Sequence, residues 1–342
     1  MTDPDGPLAI GIDVGGTKLA GGVVDQRGRV RALTRAATPA DDPARLRDVV
    51  VDLVRELALV HPVVAVGLGA AGWVDTTGTV SFAPHLAWRG EPLRDRVATA
   101  LAGLADQPGL ADLPVRVEND ATAAAWAEHQ FGAGRPGPGP LVLVTVGTGI
   151  GGGIVVGGRL LRGAHGYAGE PGHQVVVPDG HPCSCGRRGC LEQYASGQAL
   201  VRFVQTGAAE HPSRADRLRE LVGDPAGLTG RLVTTAARSG DKLARAAFDQ
   251  VGHWLGVGLA DLVQLLDPEV LVIGGGVAEA GELLLAPTRQ SYRQALARRG
   301  GLPAAELRPA RLGNLAGLVG AADLARAAAG SAGRARTELM ED

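Results

Sequence analysis

Three cysteines fall within eight residues, Cys183, Cys185 and Cys190, and the chain has no others. Three thiolates and one imidazole make a closed tetrahedral zinc site, and His173 and His181 are both candidates for the fourth ligand. The C-x-C pair is tighter than the spacing of a generic zinc finger. An odd count argues against a disulfide framework. Redox-active or buried thiols are the alternative, but thiols this crowded would oxidise, or repel one another as thiolates, without a metal. Such a metal would brace a loop carrying Glu170 and Glu192, two carboxylates able to accept hydrogen bonds from hydroxyls.

Two glycine turns suggest phosphate chemistry. Asp13-Val14-Gly15-Gly16-Thr17-Lys18 follows a buried strand, and Gly147–Gly153 follows another. Successive glycines let backbone N–H groups converge on an anion. Thr17 and Lys18 add a hydroxyl and a cation, and Asp13 at the strand end suits a magnesium ion held through water. The first turn is not a Walker A loop, because G-x-x-x-x-G-K is absent. A Gly-Gly hairpin is often purely structural, but a second turn of the same make allows a polyphosphate to be gripped from both sides. Gly274-Gly275-Gly276, after another buried strand, offers a close approach suited to a nucleoside. Glu118-Asn119-Asp120 closes a short strand before an Ala-rich helix. There Asp120 reads equally as a helix N-cap or as the general base that phosphoryl transfer to a hydroxyl requires.

The elements that position these residues are those of an α/β protein. Residues 8–14, 19–25, 30–36, 63–69, 114–118, 141–146, 154–156 and 270–273 read as strands, and 43–60, 121–132 and 241–266 as helices. Strand, glycine turn, strand occurs at 8–25 and again at 141–157, as if two lobes shared one plan. A length of 342 residues suits two lobes. The expected division is a small lobe, 1–119, and a large lobe, 120–310, with a zinc-binding loop at 173–192 and a helix at 311–330 returning to the small lobe.

Composition narrows the partners. Hydrophobic residues are 45% and charged residues 20%, which supports a packed core, and the net charge is −2 with no block of like charge, so nucleic acid and anionic membranes are poor partners. No apolar stretch reaches the length of a bilayer span. A cytoplasmic protein is expected. The 34 basic residues include only two lysines, Lys18 and Lys242, so a lysine inside a glycine turn stands out.

Taken in order, Asp13–Lys18, Glu118-Asn119-Asp120, Gly147–Gly153, Glu170–His173, Cys183–Glu192 and Gly274–Val277 resemble the ROK family of sugar kinases and repressors over nearly the whole chain. That family has the two-lobed actin-like, or ribonuclease-H-like, fold with a cleft between lobes. Gly69–Asp75 and Phe82–Trp88 most resemble its actinobacterial glucokinase members. The resemblance implies transfer of the γ-phosphate of ATP to the 6-hydroxyl of glucose, with magnesium as the catalytic ion and zinc as a structural one. It makes Asp120 the base, and Asn119, Asp120, Glu170, His173 and Glu192 the sugar ligands. It gives the nucleotide to Asp13, Gly15, Gly16, Thr17, Lys18, Thr148, Gly149, Gly275 and Gly276. It selects His173 to complete the zinc set with Cys183, Cys185 and Cys190, and it favours a homodimer or homotetramer. Another hexose (N-acetylmannosamine, fructose or allose), a polyphosphate donor, or a non-catalytic sugar sensor are the rival expectations. His85 departs from the family pattern, standing where Asn is expected. It reads either as a surface substitution or as a change beside the sugar.

Overall fold

The structure is a computed structural model, and it describes residues 6–104, 107–134, 139–224, 227–297 and 303–338. Two compact units divide the chain. Unit 1 comprises Met1–Pro136, Gly153–Gly169 and Asn314–Asp342, and unit 2 comprises Gly137–Gly152 and Glu170–Gly313.

In unit 1 the strands β1 (Leu8–Val14), β2 (Lys18–Val24), β3 (Val30–Ala37), β4 (Val63–Ala70) and β8 (Val115–Asn119) form one sheet, ordered β3-β2-β1-β4-β8. A smaller sheet holds β5 (Trp73–Val74), β6 (Val80–Phe82) and β7 (Arg89–Glu91). The β1–β4 and β4–β8 pairs are parallel, whereas β1–β2 and β2–β3 are antiparallel. Central β1 is almost wholly buried, as its unbroken apolar run requires, while edge strand β3 alternates between half-buried and exposed. Helix α1 (Pro43–Val60) starts on an Asp42 cap, with Pro at its first position, and buries Leu46, Val50, Leu53 and Leu57. Helices α2 (Leu93–Ala102) and α3 (Asp120–Phe131) follow.

Unit 2 contains β9 (Leu141–Val146) and the first part of β10 (Ile150–Val156), whose remainder, with β11 (Arg159–Leu160), is assigned to unit 1. Helices α4 (Glu192–Ala195), α5 (Gly197–Glu210), α6 (Asp216–Val222), α7 (Gly230–Arg238) and α8 (Lys242–Leu266) precede β12 (Val270–Gly274), α9 (Glu282–Leu296) and β13 (Glu306–Pro309). The last helix, α10 (Ala316–Glu338), belongs to unit 1. The second five-stranded sheet runs β11-β10-β9-β12-β13, the same third-second-first-fourth-fifth order as the first sheet. The repeated strand–turn–strand is thus a repeated sheet plan. Helices α8 and α9 approach closely because Gly252 and Gly256, four residues apart on one face, meet the backbone and side chains of Pro287, Thr288 and Ser291.

Two differences from the expected layout have physical causes. A lobe ending at 119 would sever α3 from its partners. Gly320 of α10 leaves room for Ala123 of α3, whose carbonyl oxygen would lie 1.8 Å from any Cβ there, and Trp126 donates to Asp323 of α10 at 2.7 Å. Both helices therefore sit in unit 1, with β1 and β4 beneath α10. The second glycine turn is also shorter than 147–153. Only Gly147–Gly149 turns, and Gly151–Gly153 lie within β10, where Gly152 faces Pro171 and Gly153 faces the α3 backbone. Those glycines serve close packing against neighbours.

Candidate active site

Unit 1 gathers two carboxylates at the carboxyl ends of its parallel strands. Asp13 is the penultimate residue of β1, and Asp120 is the first residue of α3 after β8. Gly69 and Gly317 leave space between them. Asp13 Oδ1 stands 3.8 Å and 3.1 Å from where Cβ atoms on those two glycines would be, and Asp120 backbone atoms stand 3.5 Å from each position. Burial, and then the Asp120 carboxylate, push the Asp13 pKa up to about 7, against an opposing pull from Lys18. Burial likewise raises Asp120. Two buried like charges this close suit a divalent cation, which favours both ionised forms at once. Asp13 is the residue that would hold magnesium here.

The cap of α3 lies one residue upstream of Asp120. Asn119 is the N-cap of α3, its Oδ1 accepting the Thr122 N–H at 2.8 Å. Asp120 Oδ1 takes the adjacent Ala121 N–H at 2.8 Å, and its carboxylate also meets its own backbone N–H. Asn119 Nδ2 also donates to the Gly72 carbonyl at 2.9 Å. These two bonds leave one N–H and one lone pair of the Asn119 amide for a hydrogen-bonding ligand. Glu118, buried beside it, receives Arg162 Nε at 2.7 Å, with Arg116 at 3.8 Å. Sequence reasoning missed this ion pair, because no periodicity links residues 44 positions apart.

The first glycine turn closes with Gly15 N–H donating to the Lys18 carbonyl at 3.2 Å. Among the described residues, the N–H groups of Gly16 and Thr17 meet no acceptor in the chain, and Thr17 and Lys18 side chains are exposed. That is the arrangement an anion needs.

Unit 2 holds the second turn. Thr148 and Gly149 lie between β9 and β10, and the start of α5 is fixed to them: Gly197 N–H donates to Gly147 O at 2.8 Å and Gln198 N–H to Thr148 O at 3.4 Å. Gly275, at φ +87°, brings its backbone against Val146, a conformation and closeness that exclude a side chain. Open space surrounds Gly276. The Gly275–Val277 segment joins the turn through Gly197, where a Cβ would lie 2.8 Å from Gly147 O and 3.2 Å from Val277 Cγ2.

The cysteines converge. The ligand atoms of His173, Cys183, Cys185 and Cys190 all lie within 4.8 Å of one another. His173 Nδ1 is 3.7 Å from Cys183 Sγ, and Cys185 Sγ is 3.7 Å from Cys190 Sγ. His181 stands apart, its ring 5.2 Å from Tyr194. Three sulfurs and one imidazole nitrogen in mutual reach fit zinc, with every tetrahedral position filled by protein. His173 closes the short helix Pro171–His173, three residues after Glu170, and burial lowers its pKa, so the neutral ring that binds metal is favoured. Glu192 touches both halves of this unit's site. Its Oε1 is 3.0 Å from Cys183 Sγ, and its Oε2 is 2.7 Å from where a Cβ on Gly149 would be.

The ROK family model matches residues 9–328. The chain belongs to the ROK family. It is 46% identical to a glucokinase of Streptomyces coelicolor over 93% of its own length and 98% of that protein. It is 34% identical to an N-acetylmannosamine kinase of Escherichia coli over 93% of this chain and 98% of that one. Among solved structures, a Streptomyces griseus ROK family glucokinase in complex with glucose and AMPPNP superposes with a TM-score of 0.84 at 47% identity, covering 93% of this chain and 99% of that one. The fold is therefore the actin-like one of the ROK sugar kinases.

Proposed function

We propose that this chain is a glucokinase, which uses ATP to phosphorylate the 6-hydroxyl of glucose. The observation that carries the reading is Asp120, an α3 carboxylate relieved of capping by Asn119 and placed beside Asp13. The relatives named glucokinase, near half identical over almost full length, favour glucose over other hexoses.

The mechanism follows from the residues. Asp120 accepts the proton of the attacking 6-hydroxyl, and its raised pKa makes it a stronger base than an exposed carboxylate. Asn119, fixed by its bonds to Thr122 and Gly72, offers its remaining N–H to the same sugar. Glu170, His173 and Glu192 accept from, or donate to, the other hydroxyls. Gly15, Gly16, Thr17 and Lys18, together with Thr148 and Gly149, bind the phosphates, and Gly275 and Gly276 receive the nucleoside. Magnesium, when bound, neutralises phosphate charge. Positioning supplies most of the rate, since phosphoryl transfer leaves little covalent work to the protein. The zinc ligands fix the His173 ring that reads the sugar.

Cysteines that bind zinc rather than pair as disulfides, and an ATP donor, suit the cytoplasm, and a homodimer or homotetramer is proposed as the assembly, to be read by light scattering. No helix among the described residues is long and apolar enough to cross a membrane. A coupled assay with ATP and magnesium across glucose, mannose, N-acetylmannosamine, fructose and allose is the test. The highest kcat/KM should belong to glucose. A preference for N-acetylmannosamine would move the chain to the other kinase class among its relatives, and turnover with none would leave a sugar sensor.

A further inference from the structure

His85 is exposed, yet it is seated on the first phosphate turn. A Cβ on Gly16 would come within 3.0 Å of His85 Cβ, 3.6 Å of its carbonyl oxygen and 3.9 Å of Cγ. The imidazole thus starts from the rim of the turn whose Gly16 and Thr17 N–H groups meet no acceptor among the described residues. The seat is built on both sides. Thr38 Oγ1 donates to Gly15 O at 2.8 Å, Thr38 N–H to Thr17 O at 3.2 Å, and Ala87 N–H to Ala40 O at 2.8 Å, so the 83–88 loop and the turn are held by one intervening segment. Earlier in the same loop, Phe82 and Ala83 close over Gly72, where a Cβ would lie 2.5 Å from Phe82 O, and Gly72 O is the acceptor of Asn119 Nδ2. The loop that carries His85 thus touches the phosphate turn at Gly16 and, three residues earlier, the Gly72 that binds Asn119.

We infer that His85 is a substrate-contacting residue for the transferred phosphoryl group, its imidazole N–H donating to a γ-phosphate oxygen beside the Gly16 backbone. A ring nitrogen at this place adds a directed donor to a turn that otherwise offers backbone N–H groups, the Thr17 hydroxyl and Lys18. An imidazole directed away from the turn would be a surface substitution, and one directed to the sugar would read hydroxyls. Those two arrangements are the outcomes that oppose the proposal.

The inference rests on the kinase reading, and the experiment separates the two. Calorimetry with full-length wild type and H85A measures AMPPNP and ADP, each with magnesium and glucose present, and glucose alone. The expected result is AMPPNP affinity lower by about tenfold in H85A, a matching rise in KM for ATP, and ADP and glucose affinities within about twofold of wild type. Equal AMPPNP affinity in the two proteins overturns the proposal. An equal loss for ADP, or a loss for glucose alone, overturns it as well. Wild type that binds no AMPPNP defeats the kinase reading itself, and with it this inference.

Discussion

A carboxylate that must take a proton works best when its charge is costly, and Asp120 meets that condition by burial. Its acid limb in kcat/KM for glucose should lie above the ordinary carboxylate range. D120N should keep glucose affinity within about twofold, yet lose on the order of a hundredfold or more in kcat. Near-normal turnover in that variant would remove Asp120 from the role of base. Asp13 yields a second, independent reading. Its folded pKa of about 7 exceeds the unfolded value of 3.8, so the folded state binds the proton more tightly. The stability this proton confers is complete below pH 3.8 and is lost as pH rises towards 7. The melting temperature of metal-free wild type relative to D13N should therefore fall between pH 5 and pH 7.5. Added magnesium should recover more of it at the higher pH. A difference that stays flat with pH would mean that Asp13 is ionised throughout. The neighbouring Asn119 and Asp120 show the limit of reading residues from sequence. Both types cap helices, and only the backbone geometry at β8 decides that the first of them does so.

At the scale of elements, the loop from Pro171 to Glu192 depends on its ligands for shape. It has few apolar residues, and its bridges are isolated pairs, Val175 with Cys190 and Pro182 with Arg188. A metal clip replaces the core that such a segment lacks. Metal analysis should find about one zinc per chain. C185S should lose it, and KM for glucose should rise by roughly ten- to a hundredfold as the His173 ring loses its anchor. Full zinc content in C185S would exclude that thiol from the site. This cluster was legible in advance because three thiols cannot sit so near one another by accident of composition. The choice between His173 and His181 was not legible from spacing, since both lie within loop reach. The structure separates them by the turn at Pro171–His173 and the contact of His181 with Tyr194. The strands at 8–14 and 141–146 were equally legible, being apolar runs bounded by glycine. The inclusion of Gly151–Gly153 in β10 was hidden, because a glycine chosen for close packing looks like a glycine chosen for a turn.

On the scale of the molecule, unit 1 is assembled from three stretches of chain, the last beginning nearly two hundred residues after the first ends. Helix α3, beyond the expected boundary at 119, falls in unit 1 for this reason: the helix that completes its surroundings comes from the far end of the sequence. Helix α10 lies with its backbone on the sheet. A Cβ on Gly11 of β1 would come within 2.0 Å of Leu318 O, and one on Gly67 of β4 within 1.9 Å of Ala321 O. Leu318, Val319, Ala321, Ala322 and Ala325 are buried there, and Arg326 donates to Val24 O at 3.0 Å. Burial of these side chains at about 25 cal/mol per Å² of apolar surface is a large fraction of a domain's net stability. A chain ending at Gly313 would expose the glycine-lined face of β1 and β4, with Asp13 at its edge. Such a chain should lose cooperative urea unfolding of unit 1 and all kinase activity. Native-like unfolding and turnover in the shorter chain would mean that α10 is an accessory layer, and that the carboxylate pair is held by the sheet alone.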